Sequence, residues 1–256
     1  MRIKFDYLTG PVLGHRRRCE ILHSILSKRD HVLINDDTFD WMVYDHPESP
    51  PPASPRKFQR RLVMGQLPVA DTDYAWMPTH ESHERTLTGK EYLILDPQLS
   101  WYKNMLLSIR PNLLITMGGA DPYCITEKLA LLLAEHDATV IIGSGFNRDI
   151  QLPQNWHSLG RLTYSHMLAQ LAASKKVIAT WGQTVFELMY LQKPFIAIAT
   201  QSEHLREAEY LGLPCLAMDE LRYVPALLSE LRGHDHGLDL LGAQRVAEFM
   251  ERPCLL

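Results

Sequence analysis

The 256-residue chain is 46% hydrophobic and 22% charged and carries a net charge of −4. That balance suits a globular protein and excludes the broad basic attraction of nucleic-acid or membrane-surface binders. No run approaches the roughly 20 apolar residues that span a bilayer. The first residues lack a signal-peptide core and the four cysteines show no CxxC spacing, so a reduced, cytoplasmic protein is expected.

Short apolar runs alternate with longer amphipathic segments, the pattern of βα units around a parallel sheet. Residues 3–8 predict the first strand. A turn containing Gly10, Pro11 and Gly14 follows, and then Cys19, Ile21, Leu22, Ile25 and Leu26 fall at helical spacing. Strands are expected over 31–34 and 41–44. Residues 45–56, DHPESPPPASPR, hold too many prolines for a helix interior or a central strand and predict a loop. Further short strands are expected over 62–64, 74–77 and 92–95, with a helical connector over 97–106.

The βα winding restarts near Arg110. Strands are expected over 113–117, 139–142, 177–180 and 195–199. Helices are expected from the glycine turn at 118–119 to about 135, and over 167–173, 184–191, 203–211, 220–231 and 238–250. The restart predicts an α/β protein of two Rossmann-like parallel-sheet domains facing across a cleft. The domains are 1–108 and 109–256, the last helix either staying with the second domain or returning to the first. In open α/β sheets ligands bind beyond the carboxyl ends of the strands, so chemistry is sought in the loops there.

Three such loops stand out. In Gly14-His15-Arg16-Arg17-Arg18-Cys19, His15 sits at a helix start, which disfavours imidazolium and leaves a ring able to accept a proton. The alternative is a helix cap beside a solvated basic face. Met117-Gly118-Gly119-Ala120-Asp121-Pro122 offers a strand, two glycines and a helix start whose amides suit a phosphate, without the spacing of a P-loop or a dinucleotide fingerprint. Thr180-Trp181-Gly182-Gln183-Thr184 repeats the arrangement, and Glu187 is placed to accept two hydrogen bonds from a ribose diol or, alternatively, to form a capping box with Thr184. His80 and His83 are three apart, not the four of HExxH, and predict a solvated loop or helix start. His234 and His236 predict a mobile turn. Neither a metal nor a cofactor is expected.

Together these motifs resemble the UDP-sugar hydrolases of pseudaminic-acid biosynthesis, GT-B relatives of the glycosyltransferase MurG. The resemblance is carried by Gly14-His15-x-x-Arg18-Cys19, by Gly89 to Pro97 with its Leu95-Asp96-Pro97, by Gly118-Gly119-x-Asp121-Pro122, by Gly160-Arg161 with Met167 and Leu168, and by Gly182, Thr184 and Glu187. The chain departs from the pattern in a shorter N-terminal half, in Pro47 after Asp45-His46, in Trp181 before Gly182, and in Ala199-Thr200-Gln201. The resemblance implies inverting hydrolysis of a UDP-activated amino sugar to free sugar and UDP, in bacterial surface-glycan or nonulosonic-acid biosynthesis. It makes His15 the base and assigns Gly118, Gly119, Gly182, Gln183, Thr184, Glu187 and Gln201 to the nucleotide. Gly14, Arg18, Asp45 and His46 fall to the sugar. The expected partner is a UDP-sugar, with no nucleic acid and no membrane span. Two alternatives stay open: a GT-B glycosyltransferase with a UDP-sugar donor, and a non-catalytic nucleotide-sugar-binding or partner-binding protein.

Overall fold

The computed structural model describes residues 1–7, 13–36, 38–46, 49, 59–68, 70–105 and 112–252. The turn at Gly10 and Pro11 and most of the proline-rich 45–56 segment lie outside them. The chain divides into two compact units, Met1–Asp96 with Asp239–Leu256, and Pro97–Leu238.

The first unit is built on a six-stranded parallel sheet of order β2-β1-β3-β4-β5-β6. Its strands are β1 (Arg2–Tyr7), β2 (Val32–Ile34), β3 (Trp41–Asp45), β4 (Arg60–Met64), β5 (Asp73–Trp76) and β6 (Thr86–Leu87). Helix α1 (Leu13–Ser27) follows β1 and lays Cys19, Leu22 and Leu26 on Ile3, Trp41, Val43 and Leu62. The C-terminal helix, Gly242–Glu251, packs beside it through Ala243, Val246, Ala247 and Met250, a stripe at helical spacing. Full burial is worth about 1.5–3 kcal/mol for a side chain the size of Val246 or Met250 and under about 1 kcal/mol for an alanine methyl, and this burial holds the helix to a sheet that lies far back in the sequence. Gly242 is required at its start, because a Cβ there would overlap the carbonyl of Leu93. An ion pair from Arg29 (2.8 Å) and a hydrogen bond between His31 Nε2 and Glu251 (2.8 Å) close the far end.

The strand expected over 92–95 is not one. Lys90–Tyr92 is a short 3-10 turn, and Leu93, Ile94 and Leu95 are buried without strand pairing. The apolar run fills core, and the edge position goes to β6. Between β4 and β5, and between β5 and β6, the described crossover residues, 65–68, 70–72 and 77–85, hold no helix where one is usual. Arg61 of β4 and Asp73 of β5 form a fully buried bidentate pair (3.0 and 2.8 Å) where these strands adjoin, and Asp73 also accepts from the Ala70 amide (3.0 Å).

The second unit holds β7 (Leu113–Thr116), β8 (Ala138–Ile141), β9 (Trp156–Leu159), β10 (Lys176–Thr180), β11 (Phe195–Ala199) and β12 (Cys215–Ala217) in the order β12-β11-β10-β7-β8-β9, all parallel. This is the doubly wound Rossmann order, with its switch point between β7 and β10. The helices are α2 (Leu99–Lys103), α3 (Ile125–Leu132), α4 (Tyr164–Ala173), α5 (Gln183–Tyr190), α6 (Ser202–Leu211) and α7 (Val224–Glu230). Thr163 caps α4 by accepting the His166 amide (3.3 Å), and Gly212 closes α6 in the left-handed conformation at φ +64°.

The unit boundary falls at Asp96, earlier than the expected 108, because α2 packs on α4 and α5 and sets Lys103 over the Tyr190 ring. Strands β9 and β12 were not expected. The helix predicted over 220–231 opens as a 3-10 turn at Leu221–Tyr223, with Pro225 in the first turn of α7. Among the described residues no helix is long and apolar enough to cross a membrane.

Candidate functional site

In the first unit, β3 ends on Asp45 and α1 begins its first turn with His15. The parallel register sets Asp45 beside Tyr7, the last residue of β1, so the strand end and the helix start meet. Asp45 is wholly buried. His15 Nδ1 lies 2.7 Å from Asp45 Oδ1, Arg18 Nε 2.6 Å from Oδ2, Arg18 Nη2 2.6 Å from Oδ1, and the Cys19 thiol 3.5 Å from Oδ2. Burial pushes the Asp45 carboxyl up, but the Arg18 charge and the hydrogen bonds from His15 and Arg18 outweigh it and hold the carboxyl below its ordinary value. Burial beside that carboxylate pushes the Cys19 thiol up, which makes it an inert filler.

His15 Nδ1 also lies 2.8 Å from Arg18 Nη2. One nitrogen cannot donate to the carboxylate and accept from the guanidinium together. The charge-assisted bond to Asp45 is the stronger, so Nδ1–H donates to the carboxylate. Nε2 has no hydrogen-bond partner among the described residues, and the side chain is 20% exposed.

Two residues expected at the sugar lie inside this cluster. Asp45 is buried and its oxygens are bonded to side chains of α1. The Arg18 guanidinium is bound to Asp45 and lies 5.0 Å over the Trp76 ring. His46 is part-exposed, bonded through Nε2 to Asp6 (2.7 Å) and packed on Tyr44. Gly14 lies in the first turn of α1.

In the second unit, a cavity of about 140 Å³ opens at the switch point, lined by Met117, Asp121, Tyr123, Thr180, Trp181 and Thr200 among others. Gly118 turns at φ +74°, and Gly145 donates its amide to the Gly119 carbonyl (2.7 Å). A Cβ on Gly143 would overlap the carbonyl oxygens of Gly118 and Gly119, so the turn after β8 must be glycine to buttress the turn after β7. Buried Asp121 accepts the amides of Ile125 (2.9 Å) and Thr126 (2.8 Å) and so caps α3. Arg148 bonds its carbonyl (2.6 Å) and pairs with Glu127 (2.6 Å).

Helix α5 starts from Gly182 at φ +148° with no side-chain cap, so Thr184 lies inside the helix and the capping box with Glu187 does not form. Glu187 is buried and accepts from the Tyr164 hydroxyl (2.7 Å). Gln183 opens α5, and Gln201 precedes α6, exposed. Trp181 donates its indole N–H to Glu207 and lies 6.5 Å from the His204 ring. His204 Nδ1 accepts the Thr200 amide (3.3 Å), and burial holds this imidazole below its ordinary value. Thr180 and Thr200 end β10 and adjoin β11. Their place at carboxyl strand ends was the signal that marks them. His80 and His83 lie in the loop between β5 and β6, not on a helix.

Two parallel-sheet domains, the second in Rossmann order, make this a GT-B fold. The structure is similar over nearly its full length to glycosyltransferases of that fold. MurG of Acinetobacter baumannii matches with a TM-score of 0.63 at 11% identity, covering 98% of this chain and 99% of that one. The spinosyn rhamnosyltransferase SpnG with its aglycone matches at 0.59 and 10% identity, covering 98% and 96%. The glycosyltransferase of kitacinnamycin matches at 0.59 and 13% identity, covering 97% and 94%. No family model and no curated protein matches the sequence.

Proposed function

We propose that the chain is an inverting enzyme of nucleotide-diphosphate sugars, hydrolysing a UDP-activated amino sugar to the free sugar and UDP. The observation that carries this reading is the His15–Asp45 pair, with Nδ1 against a buried carboxylate and Nε2 without a hydrogen-bond partner among the described residues. A base of this kind takes the proton of water as the water oxygen forms its bond to the anomeric carbon. The bond from that carbon to the diphosphate breaks with its electron pair leaving on UDP, and Asp45 stabilises the imidazolium formed. The amides around Gly118 and Gly119 and the α5 start at Gly182, Gln183 and Thr184 would receive the diphosphate. Gln201 and the switch-point cavity would hold the rest of the nucleotide, and His46 and Gly14 would border the sugar.

A second reading is transfer, in which His15 takes the proton of an acceptor hydroxyl. It is favoured by the similar structures, which are of glycosyltransferases. UDP release from UDP-N-acetylamino sugars, with and without candidate acceptors, separates the two. His15→Ala is expected to lower UDP release about 10²–10⁴-fold while leaving UDP binding by calorimetry intact. Unchanged turnover in that variant removes His15 as the base, and binding without release by the wild type removes the enzyme reading.

A further inference from the structure

We propose that Arg18 is a positioning residue that keeps His15 a free base: its guanidinium offsets the charge of buried Asp45, so that the carboxylate orients the imidazole without drawing a second proton onto it. The inference rests on the reading of His15 as a base, but its test needs no substrate. A carboxylate paired with a histidine normally favours imidazolium, because the ion pair gains more than the neutral ring. That gain would be large at Asp45, which no water reaches. Imidazolium already formed cannot accept the proton of a nucleophile.

The structure places a permanent cation on the same carboxylate. Arg18 holds both oxygens in a fork, Nε to Oδ2 and Nη2 to Oδ1, each at 2.6 Å. Two donors, Arg18 Nη2 and His15 Nδ1, therefore converge on Oδ1, with 2.8 Å between them. The ring sees a neutral Arg18–Asp45 pair from one side and a guanidinium edge from the other. It keeps the hydrogen bond that fixes its tautomer and loses the net negative charge that would load it.

Among the described residues, the other groups around the carboxylate do not substitute for Arg18. Cys19 of α1 is an un-ionised thiol, Tyr7 is the register neighbour in β1, and Trp76 of β5 packs under the guanidinium. Arg16 and Arg17 turn away, to Glu20 and Asp96, and Asp6 pairs with His46. Of the three consecutive arginines, Arg18 is the one whose guanidinium forks onto Asp45.

The test is a pH titration of the His15 ring nitrogens by long-range proton–nitrogen NMR on the full-length protein, with His15→Gln to assign the signals. In Arg18→Gln the Nε2 protonation midpoint is expected above that of the wild type, while Arg18→Lys, which keeps the charge, stays near it. Because Arg18→Gln strands a buried carboxylate and can unfold, the same comparison is made without that carboxylate. Asp45→Asn is expected to lower the midpoint, and adding Arg18→Gln to Asp45→Asn to raise it again. Midpoints that coincide with and without Arg18 in either background, or a wild-type ring protonated at Nε2 at pH 8, overturn the proposal. Loss or retention of UDP release in His15→Ala leaves this measurement untouched, so the two readings fail separately.

Discussion

Asp121→Ala tests how the switch-point cavity is held together. The buried carboxylate accepts two α3 amides, from Ile125 at 2.9 Å and Thr126 at 2.8 Å, and faces Arg148 Nη2 at 3.3 Å. Cys124, the formal cap residue, has a left-handed backbone and makes no side-chain cap bond, so nothing else stands in for Asp121. Alanine leaves two donors in a site from which the carboxylate excluded water. Each orphaned donor costs about 1–3 kcal/mol. The open cavity beside them admits some solvent, so the low end applies to one of the two, and the sum is about 2–4 kcal/mol. For a chain of this size that lowers the melting temperature by about 4–16 °C. Asp121→Asn keeps one acceptor and should lose about half as much. Thermal unfolding followed by far-ultraviolet circular dichroism measures both variants. A fall of less than about 2 °C in Asp121→Ala, or an Asn variant no better than Ala, would refute the idea that this one carboxylate secures the turn.

Gly143→Ala forces a Cβ against the Gly118 and Gly119 carbonyls; its expected signature in calorimetry is weakened UDP binding, about tenfold or more if the turn shifts enough to lose one phosphate contact worth about 1.4 kcal/mol. Asp73→Ala breaks the buried Arg61 pair and is expected to cost about 3–5 kcal/mol in urea unfolding, with much of it recovered by replacing Arg61 with methionine in the same chain. Equal losses in the single and double variants would contradict that. His204 has its folded value held down by burial, against a smaller upward pull from Glu203. A lowered folded value means the unfolded state binds more protons, so the neutral ring's contribution is present above about pH 6.5 and is lost as pH falls below it. The melting temperature of the wild type should therefore fall faster between pH 7 and 5 than that of His204→Gln, and parallel curves would count against it.

Much of the second unit was legible in the sequence, because its central strands are covered on both faces. Leu113–Thr116, Val177–Thr180 and Phe195–Ala199 are unbroken apolar runs ending in glycine or threonine turns, the pattern that parallel burial imposes. Positions 14–19, 117–122 and 180–187 drew attention for the same reason, since a strand that stops at a glycine before a helix leaves amides unspent. Edge strands escaped notice. Trp156–Leu159 and Cys215–Ala217 are short and partly exposed, and their pairing comes from the neighbouring strand's free edge, not from their own composition.

What only the tertiary structure decided is which charged groups are inside. Asp45 and Glu187 were expected on a sugar and a ribose, because a sequence shows that a carboxylate follows a strand or opens a helix but not whether it is covered. Asp45 is covered because α1 brings His15, Arg18 and Cys19 back across the end of β3. Glu187 is covered because Tyr164 of α4 closes over it. The same holds for Arg61 and Asp73, whose burial depends on two adjacent strands presenting opposite charges at one level of the sheet. Periodicity is a property of a segment and survives in the chain alone. The field at a carboxyl group is a sum over neighbours distant in sequence, and it exists only once the fold has gathered them.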